Sequence, residues 1–221
     1  NSIIDGVTKI VNEYGKIIVL EDDLLTSPYF LRFMNEALDV YEGEKKVWEI
    51  GGYVYPVEFE SNEESYMLPI TTSWGWATWK NRWENFERNP QKLISNFSKQ
   101  DIKQFNCDGT TDIWSQVISN SNGDLYTWAV FWYANVFQNK GLVLYPYKSI
   151  VTNIGHDGSG ENCGSSNKFQ NELLNKRITI NEIKDIKVNI ENYKKVKEFF
   201  IRNEDALFIK ILKNIYRKIF K

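Results

Sequence analysis

The sequence predicts an α/β fold, and three observations predict it. Apolar residues recur at helical spacing over Ser2–Glu13. A continuous apolar run, Lys16–Leu20, follows Gly15. A second helix then opens at Ser27 and Pro28. Helix, buried strand, helix and further strands in succession is the pattern of helices packed on a sheet.

Each element has its own signal. Ile3, Ile4, Val7, Ile10 and Val11 form one stripe of the first helix. The run ending at Leu20 reads as a strand buried on both faces of a parallel sheet. Ser27 as N-cap and Pro28 at the first helical position start the second helix, which runs through Tyr41 and ends near Gly43. Val47–Val54 and Gly141–Tyr145 read as strands and Thr111–Ser119 as a helix, whereas Ala129–Gln138 is ambiguous. Gly, Ser, Asn and acidic residues mark loops at Glu60–Ser65, Ser119–Asp124 and Gly155–Asn167. An α/β sheet normally starts with a strand, but here a helix at residue 2 leads into a central-looking one, so the pattern predicts further sheet upstream.

Composition narrows the function classes. The 221 residues, 42% hydrophobic and 25% charged, fit one globular domain or a domain with a tail, which excludes wholesale disorder. No apolar run approaches the roughly 18 residues of a membrane span, and Asn1–Lys16 lacks a signal-peptide pattern. Two cysteines, Cys107 and Cys163, make no disulfide scaffold and suit a reducing cytoplasm. A net charge of −2 argues against nucleic acid as partner. The charge is uneven, however. Lys210, Lys213, Arg217, Lys218 and Lys221 leave the rest of the chain with 22 basic and 29 acidic residues, a net −7. The aromatic content, 15% with eight Trp, suits a carbohydrate-handling surface and equally a core.

Two constellations carry chemistry. Glu21, Asp22 and Asp23 follow a buried strand directly, at the strand end where open α/β sheets bind ligands. Carboxylates there suit Mg²⁺ or Mn²⁺, which prefer oxygen ligands and share substrate phosphates; a solvated acidic turn is the plain alternative. Trp74, Trp76, Trp79 and Trp83 crowd the segment after Thr71. The 76, 79, 83 spacing is helical, which assigns Trp79 and Trp83 to the core. Trp74 and Trp76, around Gly75 and beside Thr72 and Ser73, either line a sugar site or pack.

Taken in order, these segments resemble GT-A-fold glycosyltransferases, closest to the N-acetylglucosaminyltransferase-I-like group and its bacterial family-2-type relatives. The likeness rests on Ile17–Leu25 with Ser27–Phe30 after it, on Ser73–Trp79, on Thr111–Trp114, and on Thr152–Gly160, so it spans residues 1 to about 165. It implies a Rossmann-like nucleotide-diphospho-sugar transferase fold, incomplete at its N-terminus, because the relatives bind uracil and ribose with βαβ units upstream of the first helix here. Residues 1–165 would be the C-terminal two-thirds of the catalytic domain, 166–205 a helical extension and 206–221 a basic amphipathic helix. By the same resemblance Asp23 ligates Mn²⁺ (or Mg²⁺), while Glu21 and Asp22 contact metal-bound water, ribose or sugar. Asp112 is the general base of an inverting displacement, although Asp ahead of a helix is also an ordinary N-cap. The late loop closes over the donor, with His156 and Asp157 at its phosphates. Relatives often carry His nearer the loop's end, where this chain has Asn162, so phosphate contact is the role expected of His156. Ser73, Trp74, Gly75 and Trp76 line the acceptor side.

The expected activity is transfer of a sugar from a nucleotide-diphosphate donor, a UDP-sugar foremost, to a glycan or lipid-linked acceptor in surface-polysaccharide assembly. The chain on its own is expected to be a poor enzyme. A catalytically inert carbohydrate-binding fragment is the alternative from another class. The expected location is cytoplasmic, with 206–221 at the inner face of the membrane. There Leu207, Phe208, Ile211, Leu212, Ile215, Tyr216, Ile219 and Phe220 draw one apolar face opposite the basic one. Each Lys or Arg near an anionic leaflet contributes about 1 kcal/mol. The alternative is a helix packed on the domain with its basic face in solvent, and flotation separates the two. The full chain should rise with anionic vesicles, and the chain lacking 206–221 should stay behind with its melting temperature unchanged. A full chain that ignores the vesicles, or a shortened one that unfolds, would assign the helix to the domain core.

Overall fold

The computed structural model describes residues 2–59, 64–155, 167–180, 183 and 185–203. His156, Asp157, Asn162, Cys163 and the basic segment 206–221 lie outside the described residues, and so do the roles expected of them.

Helix α1 (Ser2–Tyr14) buries Val7 and Val11 and ends at Gly15, whose φ of +80° lets the chain turn back into β1 (Lys16–Val19). There follow β2 (Leu24–Thr26), α2 (Phe30–Val40), β3 (Val47–Gly51), β4 (Ser65–Leu68) and β5 (Trp76–Trp79). The short helices α3 (Lys80–Trp83), α4 (Pro90–Asn96) and α5 (Lys99–Phe105) precede α6 (Trp114–Asn122) and α7 (Ala129–Gln138). Strands β6 (Leu142–Pro146) and β7 (Val151–Asn153) come next, and a helix over 190–203, α8, closes the described chain.

The main sheet has the order β1-β5-β3-β6-β4, and β2 and β7 form a separate antiparallel ribbon. Among the described residues only β3 and β6 pair in parallel, and the other three pairings of the main sheet are antiparallel. The fold is therefore α/β with a mixed sheet. One face packs on α2 and on Ile178 and Ile186 of the late segment; the other packs on α5, α6 and α7. A third cluster, rich in Trp, joins α1 to one face of α7. None of the described helices is long and apolar enough to cross a membrane.

The structure corrects four sequence expectations. First, among the described residues β1 stands at the edge of the sheet and pairs antiparallel with β5 alone, and Lys16–Ile18 are only half-buried. Ile17 packs in the Trp-rich cluster and Ile18 against the α2 side, so both faces are covered. An apolar run reports covered faces; it does not report strand direction. Second, Trp76 and Trp79 lie on a strand, pointing to opposite faces, with Trp83 on the short helix after it. Third, α2 begins at Phe30. Ser27 instead holds a turn over Pro28, its Oγ accepting from the Tyr29 N–H and its carbonyl from the Phe30 N–H. Fourth, the late segment 166–205 is helical only over Asn167–Phe169 and from residue 190 among its described residues. The ambiguity over Ala129–Gln138 resolves as a helix: Val130–Val136 are all buried, and a helix apolar all round shows no amphipathic period.

Candidate functional site

Where β1 ends, the acidic turn takes shape. Glu21 is half-buried, whereas Asp22 and Asp23 are exposed. Asp23 has φ of +61°, a left-handed conformation that Asp tolerates better than most residues. Its carbonyl accepts from the Ile154 N–H at 2.9 Å, extending the β2–β7 ribbon by one step. A side chain at Gly155 would bring its Cβ within 2.6 Å of Asp23 Oδ2, so glycine is what lets the backbone meet that carboxylate. The acidic turn and the beginning of the Gly155–Asn167 segment thus touch.

Glu21 is tied from the other side. Its Oε1 accepts from Trp128 Nε1 at 3.3 Å. Burial raises the pKa of its carboxyl; the Trp128 hydrogen bond opposes that shift and the neighbouring Asp22 charge adds to it. Trp128 stands immediately before α7 and stacks on Trp76 with ring centroids 5.3 Å apart.

The Trp-rich segment divides in two. Ser73 and Trp74 border an open cleft of about 280 Å³. Trp74 is half-buried and meets Tyr53 edge to face at 4.6 Å, with Phe169 on another side at 6.1 Å. The cleft's remaining walls are Tyr55 and Ile70, the start of α6 at Ile113 and Gln116, and α7 at Ala129, Val130 and Tyr133. Aromatic rings beside hydroxyl and amide groups are the composition of a small-molecule site. Gly75 and Trp76 are not on this cleft. Trp76 is fully buried among Trp83, Trp128 and Trp132. Gly75, with φ of +65°, has its carbonyl on the Gly52 N–H at 2.7 Å, and a Cβ there would sit 2.7 Å from Val151 Cγ2. It is a close crossing of backbones.

Asp112 is exposed where α6 begins. Its Oδ1 accepts from the Ser115 N–H at 3.1 Å and its carbonyl from Ser115 Oγ, so it caps the helix. The neighbouring Ile113 lines the cleft, which puts Asp112 at the rim.

Sequence reasoning missed Glu49. This β3 residue is fully buried. Its Oε2 accepts from Trp132 Nε1 at 2.6 Å and its Oε1 from the Thr72 N–H at 3.1 Å. Burial pushes the carboxyl up to about 8, against the pull of both hydrogen bonds. The signal available in sequence was an acid in an apolar strand, but ordinary alternation would turn it away from α7.

Among the described residues, no three His, Cys, Asp or Glu side chains are placed to hold a metal together. The exposed carboxylates of Asp22 and Asp23 are hard oxygen donors, which fits a divalent ion that takes its remaining ligands from water and substrate phosphate. In comparisons with known proteins, no family model matches the chain and no curated protein is significantly similar to it.

The Glu49 environment has a consequence for stability. The folded chain keeps a proton that the unfolded chain releases above about 4.5, so the stability that this proton confers is complete below that pH and is lost as pH rises through about 8. Denaturant unfolding of wild type and Glu49→Gln across this window should show a downward slope in the wild type that the variant lacks, whatever its baseline. Parallel slopes would show that Glu49 does not titrate in this way.

Proposed function

We propose that this chain is the catalytic part of a metal-dependent, inverting glycosyltransferase of GT-A type, moving a sugar from a UDP-sugar or similar donor to a glycan or lipid-linked acceptor. One observation carries the reading. The acidic turn meets the Gly155 backbone on one side and, through Trp128, the helix that walls an aromatic cleft on the other. A donor held at the turn and an acceptor held in the cleft would share one helix.

The roles follow from the chemistry of each group. Asp23, exposed at the strand end, would hold Mn²⁺ or Mg²⁺, with Asp22 beside it. A bound ion would offset the charge that grows on the leaving diphosphate. Glu21, fixed by Trp128, would accept from donor hydroxyls or metal-bound water. Trp74 offers the flat apolar face on which a sugar ring stacks, and Ser73 a hydroxyl beside it. Asp112 at the rim would take the acceptor's proton; a base so placed contributes about 10²–10⁴-fold. Its capping bond to Ser115 would hold the carboxylate in place. The site would work in the cytoplasm, with 206–221 at the membrane face where lipid-linked acceptors reside.

Two variants test the assignment. Mn²⁺ with uridine diphosphate should raise the melting temperature of the wild type, and Asp23→Asn should abolish that rise without lowering the metal-free melting temperature. Asp112→Asn can still cap, so it should preserve stability and the nucleotide effect while lowering sugar transfer by about 10²-fold or more. Saccharide binding with no response to Mn²⁺ and nucleotide would instead identify a carbohydrate-binding module.

A further inference from the structure

We propose that Glu49 is the positioning residue of the aromatic cleft, its buried carboxyl fixing three walls of the cleft against one another; the proposal rests on reading that cleft as the acceptor site. Each of these three walls leads back to this side chain. Glu49 lies on β3, whose continuation supplies Tyr53 and Tyr55. Its Oε1 holds the backbone of Thr72, between Thr71 and the Ser73–Trp74 pair. Its Oε2 holds the Trp132 indole, on the helix that presents Ala129 and Tyr133 to the cleft.

A local irregularity makes this possible. The β3–β6 register shifts between Val47 and Glu49, so Trp48 and Glu49, though consecutive, both meet Trp132. Without that bulge one of the two would face the α2 side. A carboxyl fully removed from water costs folding free energy that an apolar residue would not. Such a cost is retained where the group does something packing alone cannot, and here it joins two donors from different elements to one rigid plane. A leucine would fill the space and join neither. A glutamine has one acceptor oxygen and would keep one of the two bonds.

The cleft-wall amides and sugar affinity decide the matter together. In Glu49→Leu, hydrogen exchange at Thr72, Ser73 and Trp74 should quicken at least about tenfold, while the β6 amides stay as protected as in the wild type. Affinity for methyl glycosides of glucose, galactose and N-acetylglucosamine, followed by calorimetry, should fall by a similar factor. Trp132→Phe removes the Oε2 bond, and with it part of the ring packing against Trp48, Trp76 and Trp83, but leaves Oε1 on Thr72. It should give intermediate values of both, and it decides the question if Glu49→Leu does not fold. Unchanged wall amides, or unchanged affinity despite opened amides, would overturn the proposal. A wild type that binds none of these glycosides, yet whose wall amides still open in the variants, would remove the acceptor reading and leave the positioning role standing.

Discussion

A carboxyl group with no access to water has two ways to persist: it keeps its proton, or it finds donors. Glu49 does both. Two N–H groups point at its oxygens, and burial still outweighs them enough to hold its pKa near 8. Around this group the chain bends out of its own rules. A bulge turns Glu49 toward α7, the Thr71–Trp74 stretch is drawn in by its backbone, and Trp132 is pinned by its indole nitrogen. One helical turn earlier, Trp128 repeats the arrangement with Glu21. Trp128, just before α7, and Trp132, one turn later, thus each direct an indole N–H at a glutamate side chain. Through them the acidic turn and the cleft are tied to the same helix.

Packing among the tryptophans holds these parts together. Trp76, Trp83, Trp128 and Trp132 meet with ring centroids between 5.2 and 5.9 Å, and Trp48 joins at 6.2 Å. Offset and tilted aromatic pairs of this kind contribute about 0.5–1.5 kcal/mol each beyond area burial. Most of the unusual Trp content is therefore framework. In the 74–83 segment only Trp74 reaches the cleft, and its orientation is set by Tyr53 and Phe169. Tyr53 in turn donates its hydroxyl to the Phe169 carbonyl at 2.9 Å, and α8 lays Phe199 and Phe200 against Tyr55. The late segment closes the outer side of the cleft.

The α/β class was legible because helix stripes and apolar runs are local. The first helix, the run after Gly15 and the strand before Tyr145 stand where their patterns put them. Pairing was not legible, because the two covered faces of β1 say nothing about which strand lies beside it. The strand over Trp76–Trp79 was read as helix because one spacing of three and one of four fit a helical face, while a strand followed by a short turn presents the same residues. At the site, residue type and spacing single out the acidic turn, Ser73 and Trp74, and the structure puts the last two on the cleft. Trp76 was not separable from Trp74, since only the sheet decides which of two neighbouring indoles faces outward. Glu49 escaped because its role depends on a bulge, and a bulge breaks the alternation by which strand faces are read.

What remains is whether a metal–nucleotide complex sits where the turn, the Gly155 backbone and Trp128 converge. Nuclear magnetic resonance of the labelled chain with substoichiometric Mn²⁺ and uridine diphosphate locates the ion directly, because a paramagnetic ion broadens the signals nearest to it. The amides of Asp22, Asp23 and Gly155 should broaden first and the Trp128 indole N–H next, and only when nucleotide is present. Broadening centred on other exposed acids such as Glu58 or Asp124, or none at the acidic turn, would contradict a donor site there.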